Sequence, residues 1–233
     1  VGDPQRTKHN VRPLQSETHS MTKIVDFYWS HQSPYCYFSL DRILSLNGRA
    51  DVDVVLRLVL PGVLRNSDAF LDRSETEQRY FFLDAQRTAA FLGLSYKEAR
   101  PYPVEMRPGT IYRAEENQPR IYRLYHLTAA AEEIGKGLAF LDKVTRLIWD
   151  GSTIDWHVGD ALKIAIEHAG IDYEKLARRA KDGAEEFDET FASNHERLLK
   201  SGHWGVPVFV YEDEPFYGQD RFDQLVWRME VGG

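Results

Sequence analysis

The chain has 233 residues, of which 42% are hydrophobic and 28% charged, and a net charge of -7. This composition is typical of a globular protein, and a chain without excess basic residues is not expected to bind nucleic acid. It has one cysteine and no apolar run near the roughly 20 residues of a transmembrane helix. We therefore expect no disulfide framework, no membrane partner and a reducing, cytoplasmic location.

The first half of the predicted sheet follows a polar arm. Residues 1–22 lack the apolar stretch of a signal peptide and are expected to lie outside the folded domain. The β-branched and aromatic residues 23–29 predict a strand, and Ser-Pro then predicts a helix over 34–46. Residues 52–60 are almost continuously apolar, which predicts a second strand buried on both faces. Strand, helix and strand make a βαβ unit, so the two strands should be parallel.

The middle of the chain, residues 61–201, is predicted to be a helical insertion domain. No convincing strand appears in it, and glycines separate its apolar-periodic segments. A stretch with four prolines, 99–119, predicts a long loop. Helices are predicted at 75–93, 119–135, 137–150, 157–169, 172–181 and 184–200.

The strand pattern returns near the end of the chain. Residues 206–211 predict a strand, 215–218 a short returning strand, and 220–229 a closing helix. The ends of the chain, 23–60 and 202–233, should therefore form one discontinuous α/β domain, and the fold class is α/β.

The sequence Ser33-Pro34-Tyr35-Cys36 resembles a C-x-x-C redox site whose first cysteine is replaced by serine. The first cysteine of such a pair is the attacking thiol, so exchange within one chain is lost. Cys36 lies one turn into the helix and should point inward as a structural residue, although a reactive thiol is the alternative. Ser33 either only caps the helix or also donates a hydrogen bond to an anion, for which a thiolate is the candidate.

Two further elements have both a structural and a functional interpretation. Val206-Pro207 at the head of a strand is compatible with a cis peptide, which would leave the Val206 backbone free to pair with an extended ligand. Asp220, after Gly218-Gln219, is predicted to cap the last helix. Together with Arg221 it could also bind the α-amino and α-carboxyl groups of an amino-acid-like ligand. The eight scattered histidines and the absence of nucleotide motifs predict neither a metal nor a nucleotide cofactor.

These motifs together resemble a known family. DFYW, then SPYC, a long helical insert and GHWGVPVFVYEDEPFYGQDRFDQL resemble the DsbA-like branch of the thioredoxin superfamily. Within that branch, the chain is similar to the 2-hydroxychromene-2-carboxylate isomerases and the kappa-class glutathione transferases. The resemblance spans roughly residues 23–230 and implies a thioredoxin-like fold interrupted by helices, with glutathione as cofactor and a homodimer as assembly.

The resemblance also implies site roles. Ser33 would hold the glutathione thiolate, Val206 before cis-Pro207 would pair with the peptide, and Gln219, Asp220 and Arg221 would hold its γ-glutamyl end. The substrate would be a small aromatic or conjugated compound. The pocket residues would be His31, Tyr35 and Trp204, with further apolar-wall candidates at Phe81, Phe82, Tyr112 and Tyr122.

The chain departs from the family pattern between residues 64 and 84. Asn66 matches a family asparagine that helps to bind glutathione, but the family lysine falls near Glu77, which reverses the charge. Arg57, Arg65, Arg73 or Arg79 could compensate. The alternatives to a glutathione-dependent enzyme are a thiol oxidoreductase that uses Cys36 and a non-catalytic binding protein.

Overall fold

A computed structural model describes residues 22–65, 73–110 and 112–231. The predicted arm, apart from its last residue, and Asn66 lie outside the described residues. The strands are β1 (Lys23–Trp29), β2 (Val52–Leu58), β3 (Val208–Tyr211) and β4 (Glu214–Tyr217). The helices are α1 (Pro34–Asn47), α2 (Gly62–Arg65), α3 (Glu75–Leu92), α4 (Pro119–Glu133), α5 (Gly137–Trp149), α6 (Ala161–His168), α7 (Tyr173–Asp182), α8 (Ala184–Lys200) and α9 (Phe222–Val231).

The four strands form one mixed sheet in the order β2-β1-β3-β4. β1 and β2 are parallel, as predicted, whereas β3 is antiparallel to both β1 and β4. The inward residues Phe27 and Phe209 stack across β1 and β3 with their ring centroids 5.1 Å apart, and Phe222 of α9 packs edge-on against Phe209. This is the predicted thioredoxin-like sheet, built from the two ends of the chain.

The connection between β1 and β2 is α1, which covers one face of the sheet. Its apolar residues Phe38, Leu40 and Ile43 are buried, and the helix ends at Asn47, one residue beyond the predicted end, with Gly48 as its C-cap. α1 also packs against α3 and α5, so it connects the sheet to the helical part of the chain.

The prediction that β2 is buried on both faces was wrong. Its burial alternates: Asp53 is exposed, and Val55 and Arg57 are only partly buried. Arg57 forms an ion pair with Asp26 of β1 at 2.8 Å, because this face is only partly covered by helices. Near the end of β2, α8 contacts the strand through Asn194, whose Nδ2 donates to the carbonyl of Leu58 at 3.0 Å.

The chain from the end of β2 to the start of β3 follows the prediction closely, with three differences. The short helix α2 was not predicted. α6 begins at Ala161 rather than near residue 157, because residues 157–160 form turns, with Gly159 at a φ of 63°. β3 begins at Val208 rather than at Val206, and the Pro207 carbonyl accepts instead from the N–H of Gly218 at 2.9 Å. The domain boundaries themselves stay a prediction.

None of the helices in the described ranges combines the length and the apolar character that crossing a bilayer requires.

Candidate functional site

The first element of the site is the start of α1. Ser33 is extended (φ -95°, ψ 118°) and its Oγ accepts a hydrogen bond from the backbone N–H of Cys36 at 3.3 Å. Pro34 follows at the first helical position, where its fixed φ suits the helix. The first turn has no acidic residue to offset the positive end of the helix dipole. The predicted cap is confirmed, and it uses only the acceptor side of the hydroxyl.

Cys36 lies beneath this cap and is fully buried. Its Sγ accepts from the backbone N–H of Ser30 at 3.5 Å. Burial raises the pKa of the thiol to about 12, against which the hydrogen bonds from Ser30 and Ser33 act only weakly. A thiol with this pKa stays protonated near neutral pH. The predicted inward position of Cys36 is confirmed, and its structural role stays a prediction.

The second element is the segment before β3. The Val206–Pro207 peptide is cis, as the family resemblance implies. β3 begins at Val208, opposite Tyr28 near the end of β1, so the segments after β1 and before β3 lie at the same end of the sheet. The N–H of Ser33 donates to the carbonyl of Ser30 at 3.2 Å. Ser33 and Val206 therefore meet at the same end of the sheet.

The Val206 backbone remains available in this arrangement. Neither its N–H nor its carbonyl has a hydrogen-bond partner among the residues that the structure describes. The side chain is partly buried and packs against the apolar core, which fixes the segment in place. A fixed backbone with both groups free can pair with an extended peptide.

The third element is a 3₁₀ turn, Gln219–Arg221, that precedes α9. The prediction that Asp220 caps the last helix was wrong, because Asp220 lies inside the turn and makes no side-chain cap bond there. Its carboxylate instead pairs with the guanidinium of Arg221 at 2.6 Å. Arg42 of α1 donates to the Gln219 carbonyl at 3.1 Å, which ties the turn to the helix that Ser33 begins.

Three aromatic rings stack beside Val206. The His203 ring lies between Trp204, with centroids 4.5 Å apart, and Tyr217, with centroids 4.1 Å apart. His203 Nδ1 accepts from the N–H of Gly205 at 2.9 Å, and burial lowers the pKa of the ring. Trp204 is 69% exposed, which is compatible with its predicted pocket role. Sequence reasoning missed Tyr217, although it directly precedes the Gly-Gln-Asp-Arg motif.

His31 does not line an open pocket, and this part of the pocket prediction was wrong. The ring is completely buried, and its Nε2 lies 2.8 Å from the Oγ1 of Thr128. The Thr128 hydroxyl donates to the carbonyl of Leu124, so it accepts a hydrogen bond from the N–H at Nε2. Burial lowers the pKa of His31 to about 3, so the ring is neutral. His31 belongs to the core between the sheet and the helical part.

Tyr35 links two helices. Its hydroxyl donates to the Asp84 carboxylate of α3 at 2.6 Å, and its ring packs against Phe38 and Phe81. The hydroxyl is thus already engaged, whereas a pocket role for the ring stays a prediction. Of the other wall candidates, Phe82 packs against Phe81, Tyr122 lies beside His126, and Tyr112 lines an open cavity of about 440 Å³.

The region of the expected lysine is also built differently. Glu77 closes the capping box of α3: its carboxylate accepts from the N–H of Ser74 at 2.8 Å, which lowers its pKa. Arg65, at the end of α2, is partly buried and donates to the carbonyls of Leu60 and Trp204. Burial lowers the pKa of its guanidinium. A cation therefore adjoins the aromatic stack.

The described parts of the chain contain no group of three or more histidine, cysteine or acidic residues arranged to hold a metal ion. The groups that do converge are a half-buried hydroxyl at a helix N-terminus, a free backbone segment and a guanidinium. They match the thiol, the peptide bonds and the carboxylates of a small thiol peptide, so the residues present fit glutathione.

Comparison with known proteins agrees with this geometry. The DSBA-like thioredoxin domain model matches residues 24–230, and no curated protein matches. A 2-hydroxychromene-2-carboxylate isomerase structure is 21% identical, with a TM-score of 0.64 over 89% of this chain and 95% of that one. A probable DsbA oxidoreductase from Streptomyces coelicolor is 19% identical, with a TM-score of 0.61 over 90% of each chain.

A third similar structure is the cytosolic disulfide reductase DsbM from Pseudomonas aeruginosa with GSH. It is 16% identical, with a TM-score of 0.55 over 89% of this chain and 99% of that one. At these identities the structures show a common fold, and the family match spans nearly the whole described chain. The protein belongs to the DSBA-like thioredoxin domain family.

Proposed function

We propose that the protein is a glutathione-dependent enzyme, either an isomerase of the 2-hydroxychromene-2-carboxylate isomerase type or a kappa-like glutathione transferase. Its substrate is a small aromatic or conjugated compound. The observation that carries the proposal is that Ser33, at the start of α1, and the unbonded backbone of Val206 lie at the same end of the sheet. Cys36, the protein's own cysteine, is completely buried.

Ser33 is the residue that acts on sulfur. Its Oγ accepts from the N–H of Cys36, and its hydroxyl proton can still be donated to a ligand thiolate. A hydroxyl that donates to a thiolate forms a charge-assisted hydrogen bond, and the positive end of the α1 dipole adds to it. Both interactions favour the charged form, so they lower the pKa of a thiol placed there.

The remaining residues position the ligand. Val206 offers one N–H and one carbonyl to the peptide, and the turn Gln219–Arg221 offers polar groups to its γ-glutamyl end. The exposed faces of Trp204 and Tyr217 offer an apolar surface to an aromatic substrate. The chemistry that glutathione supplies when bound is reversible addition of its thiolate to a conjugated carbon, which permits rotation about the former double bond.

The similar structures support this reading without deciding between the two activities. One is a 2-hydroxychromene-2-carboxylate isomerase, and another is a disulfide reductase with GSH. A thiol oxidoreductase that uses Cys36 is disfavoured, since a fully buried thiol with a raised pKa neither meets a substrate nor ionises near neutral pH. We also retain the cytoplasmic location and the homodimer as proposals.

The test compares glutathione with S-methylglutathione by titration calorimetry and by the ultraviolet absorbance of the thiolate. The wild-type protein should bind both ligands and develop a thiolate band at neutral pH with glutathione alone. Ser33→Ala should still bind S-methylglutathione but lose the band. Absence of saturable glutathione binding at millimolar concentration would overturn the proposal.

A further inference from the structure

Arg65 has an unusual environment for an arginine. It ends α2, just beyond the carboxyl end of β2, and its Nε donates to the carbonyl of Leu60 at 2.5 Å. Its Nη2 donates to the carbonyl of Trp204 at 3.0 Å, across 139 positions of sequence. A guanidinium has five N–H donors, so further donors, including those of Nη1, remain for another acceptor.

The described part of the chain offers this cation no acidic partner. Among the described residues, no aspartate or glutamate lies within ion-pair distance of Arg65, although the chain has 36 acidic residues and 29 basic ones. Burial lowers the pKa of the guanidinium, which shows that it has lost part of its hydration. A desolvated cation that makes bonds only to neutral carbonyls is costly unless an anion arrives.

The direction of the neighbouring backbone indicates which anion this is. Arg65 lies at the start of the segment Trp204–Pro207, because it donates a hydrogen bond to the Trp204 carbonyl. The turn Gln219–Arg221 lies at the other end of the segment. Gly218, which directly precedes this turn, donates its N–H to the Pro207 carbonyl at 2.9 Å. A short peptide that pairs antiparallel with Val206 has its amino end at the turn and its C-terminal carboxylate at Arg65.

We propose that Arg65 binds the C-terminal carboxylate of the thiol peptide and makes the site selective for peptides in which that carboxylate is free. The inference rests on the proposed function and adds to it a specificity-determining residue. Planar carboxylates fit the guanidinium fork well, and the partial burial of Arg65 strengthens the pairing. Arg65 of α2 then supplies the positive charge that the family pattern places near position 77. Glu77, at that position, closes the α3 capping box instead.

The experiment measures the dissociation constants of glutathione and of its glycine-amide analogue, in which the C-terminal charge is absent, by titration calorimetry. The wild-type protein should bind glutathione about 10- to 100-fold more tightly than the amide, as expected for a hydrogen-bonded charge pair. Arg65→Gln should reduce this ratio to near one, and Arg65→Lys should restore part of it. Arg178→Gln, which removes an exposed arginine on α7, is the charge-matched control and should keep the wild-type ratio.

The outcomes separate this inference from the proposed function. Failure of both ligands to bind the wild-type protein would overturn the proposed function and the inference with it. Equal affinities in the wild-type protein would overturn the role of Arg65 alone, and this arm does not depend on any variant folding. Equal weakening of both ligands in Arg65→Gln, with the ratio unchanged, would assign Arg65 to the Trp204 carbonyl contact and also overturn the inference.

Discussion

The Oγ of Ser33 accepts a hydrogen bond from the backbone N–H of Cys36 at 3.3 Å, so the residue at the cysteine-like position caps the helix that buries the protein's thiol. Ser33, which is proposed to bind the sulfur of a ligand, is thus distinct from Cys36, which holds the protein's own sulfur. Ser33 is partly exposed, whereas the thiol of Cys36 lies in the core. Serine at position 33 therefore has both a stabilising and a proposed chemical role, and the two can be separated by experiment.

Ser33→Ala should abolish most glutathione-dependent turnover while costing about 1 kcal/mol of stability through the lost cap. Asp172→Ala is the matched control, because Asp172 caps α7 by accepting from the N–H of Lys175 at 3.0 Å. It should lose similar stability and keep full turnover. Turnover and denaturant unfolding are measured for both variants. Equal turnover in Ser33→Ala and in the wild-type protein would contradict the role of the hydroxyl.

Cys36 should resist alkylation by iodoacetamide in the native protein at neutral pH and react readily once the chain is unfolded. Its thiol is inaccessible, and its pKa is raised to about 12 by burial. Cys36→Ala should cost about 1–2 kcal/mol of unfolding free energy through lost packing but keep glutathione-dependent turnover. Mass spectrometry of native and denatured samples measures the labelling. Fast native labelling that also stops turnover would restore the oxidoreductase alternative.

The sequence predicted those parts of the site whose cause is local. Ser-Pro at the start of α1 specifies a cap, and the position of Cys36 one turn later specifies its inward direction. The Asp220 prediction was wrong because capping reasoning assumed that α9 starts directly after Gln219. The chain instead makes a 3₁₀ turn, so the carboxylate pairs with Arg221.

Contacts between distant segments could not be read from the sequence. The stack of His203 on Tyr217 depends on the antiparallel pairing of β3 with β4. The bond from Arg65 to the Trp204 carbonyl joins residues 139 positions apart. The resemblance implies a pocket role for His31, but the ring is buried in the core, where it contacts Thr128. The hydrophobic periodicity of the sequence predicts which face of a helix or strand is buried. It does not predict which distant segment packs against that face.

Tyr35 and Asp84 should be energetically coupled, because their 2.6 Å hydrogen bond joins α1 to α3. This bond lowers the pKa of Asp84, so the carboxylate is the form that it stabilises. Tyr35→Phe should lower the free energy of unfolding by about 1–2 kcal/mol. A double-mutant cycle with Asp84→Ala should give a coupling of about 1 kcal/mol that shrinks as the carboxylate is protonated. Additive effects at neutral pH would show that the bond does not stabilise the helix pair.

His31 should make the protein less stable in acid. Burial lowers its pKa from 6.5 to about 3, so the unfolded chain binds a proton there that the folded protein excludes. Its stabilising effect is complete above pH 6.5 and is lost as the pH falls towards 3, with a slope approaching about 1.4 kcal/mol per pH unit. The groups around the ring (Trp29, Tyr125, Thr128 and Phe140) do not titrate in this range.

His31→Gln keeps an N–H donor for Thr128 but removes the titrating ring, so the pH dependence of unfolding should become shallower by about that slope between pH 6 and pH 4. Urea unfolding at several pH values measures the difference, in which the contributions of the carboxylates cancel. His168→Gln, at the exposed end of α6, controls for the substitution itself. Parallel curves for His31→Gln and the wild-type protein would mean that the ring reaches its protonated state without unfolding, and that the core around Thr128 opens to water.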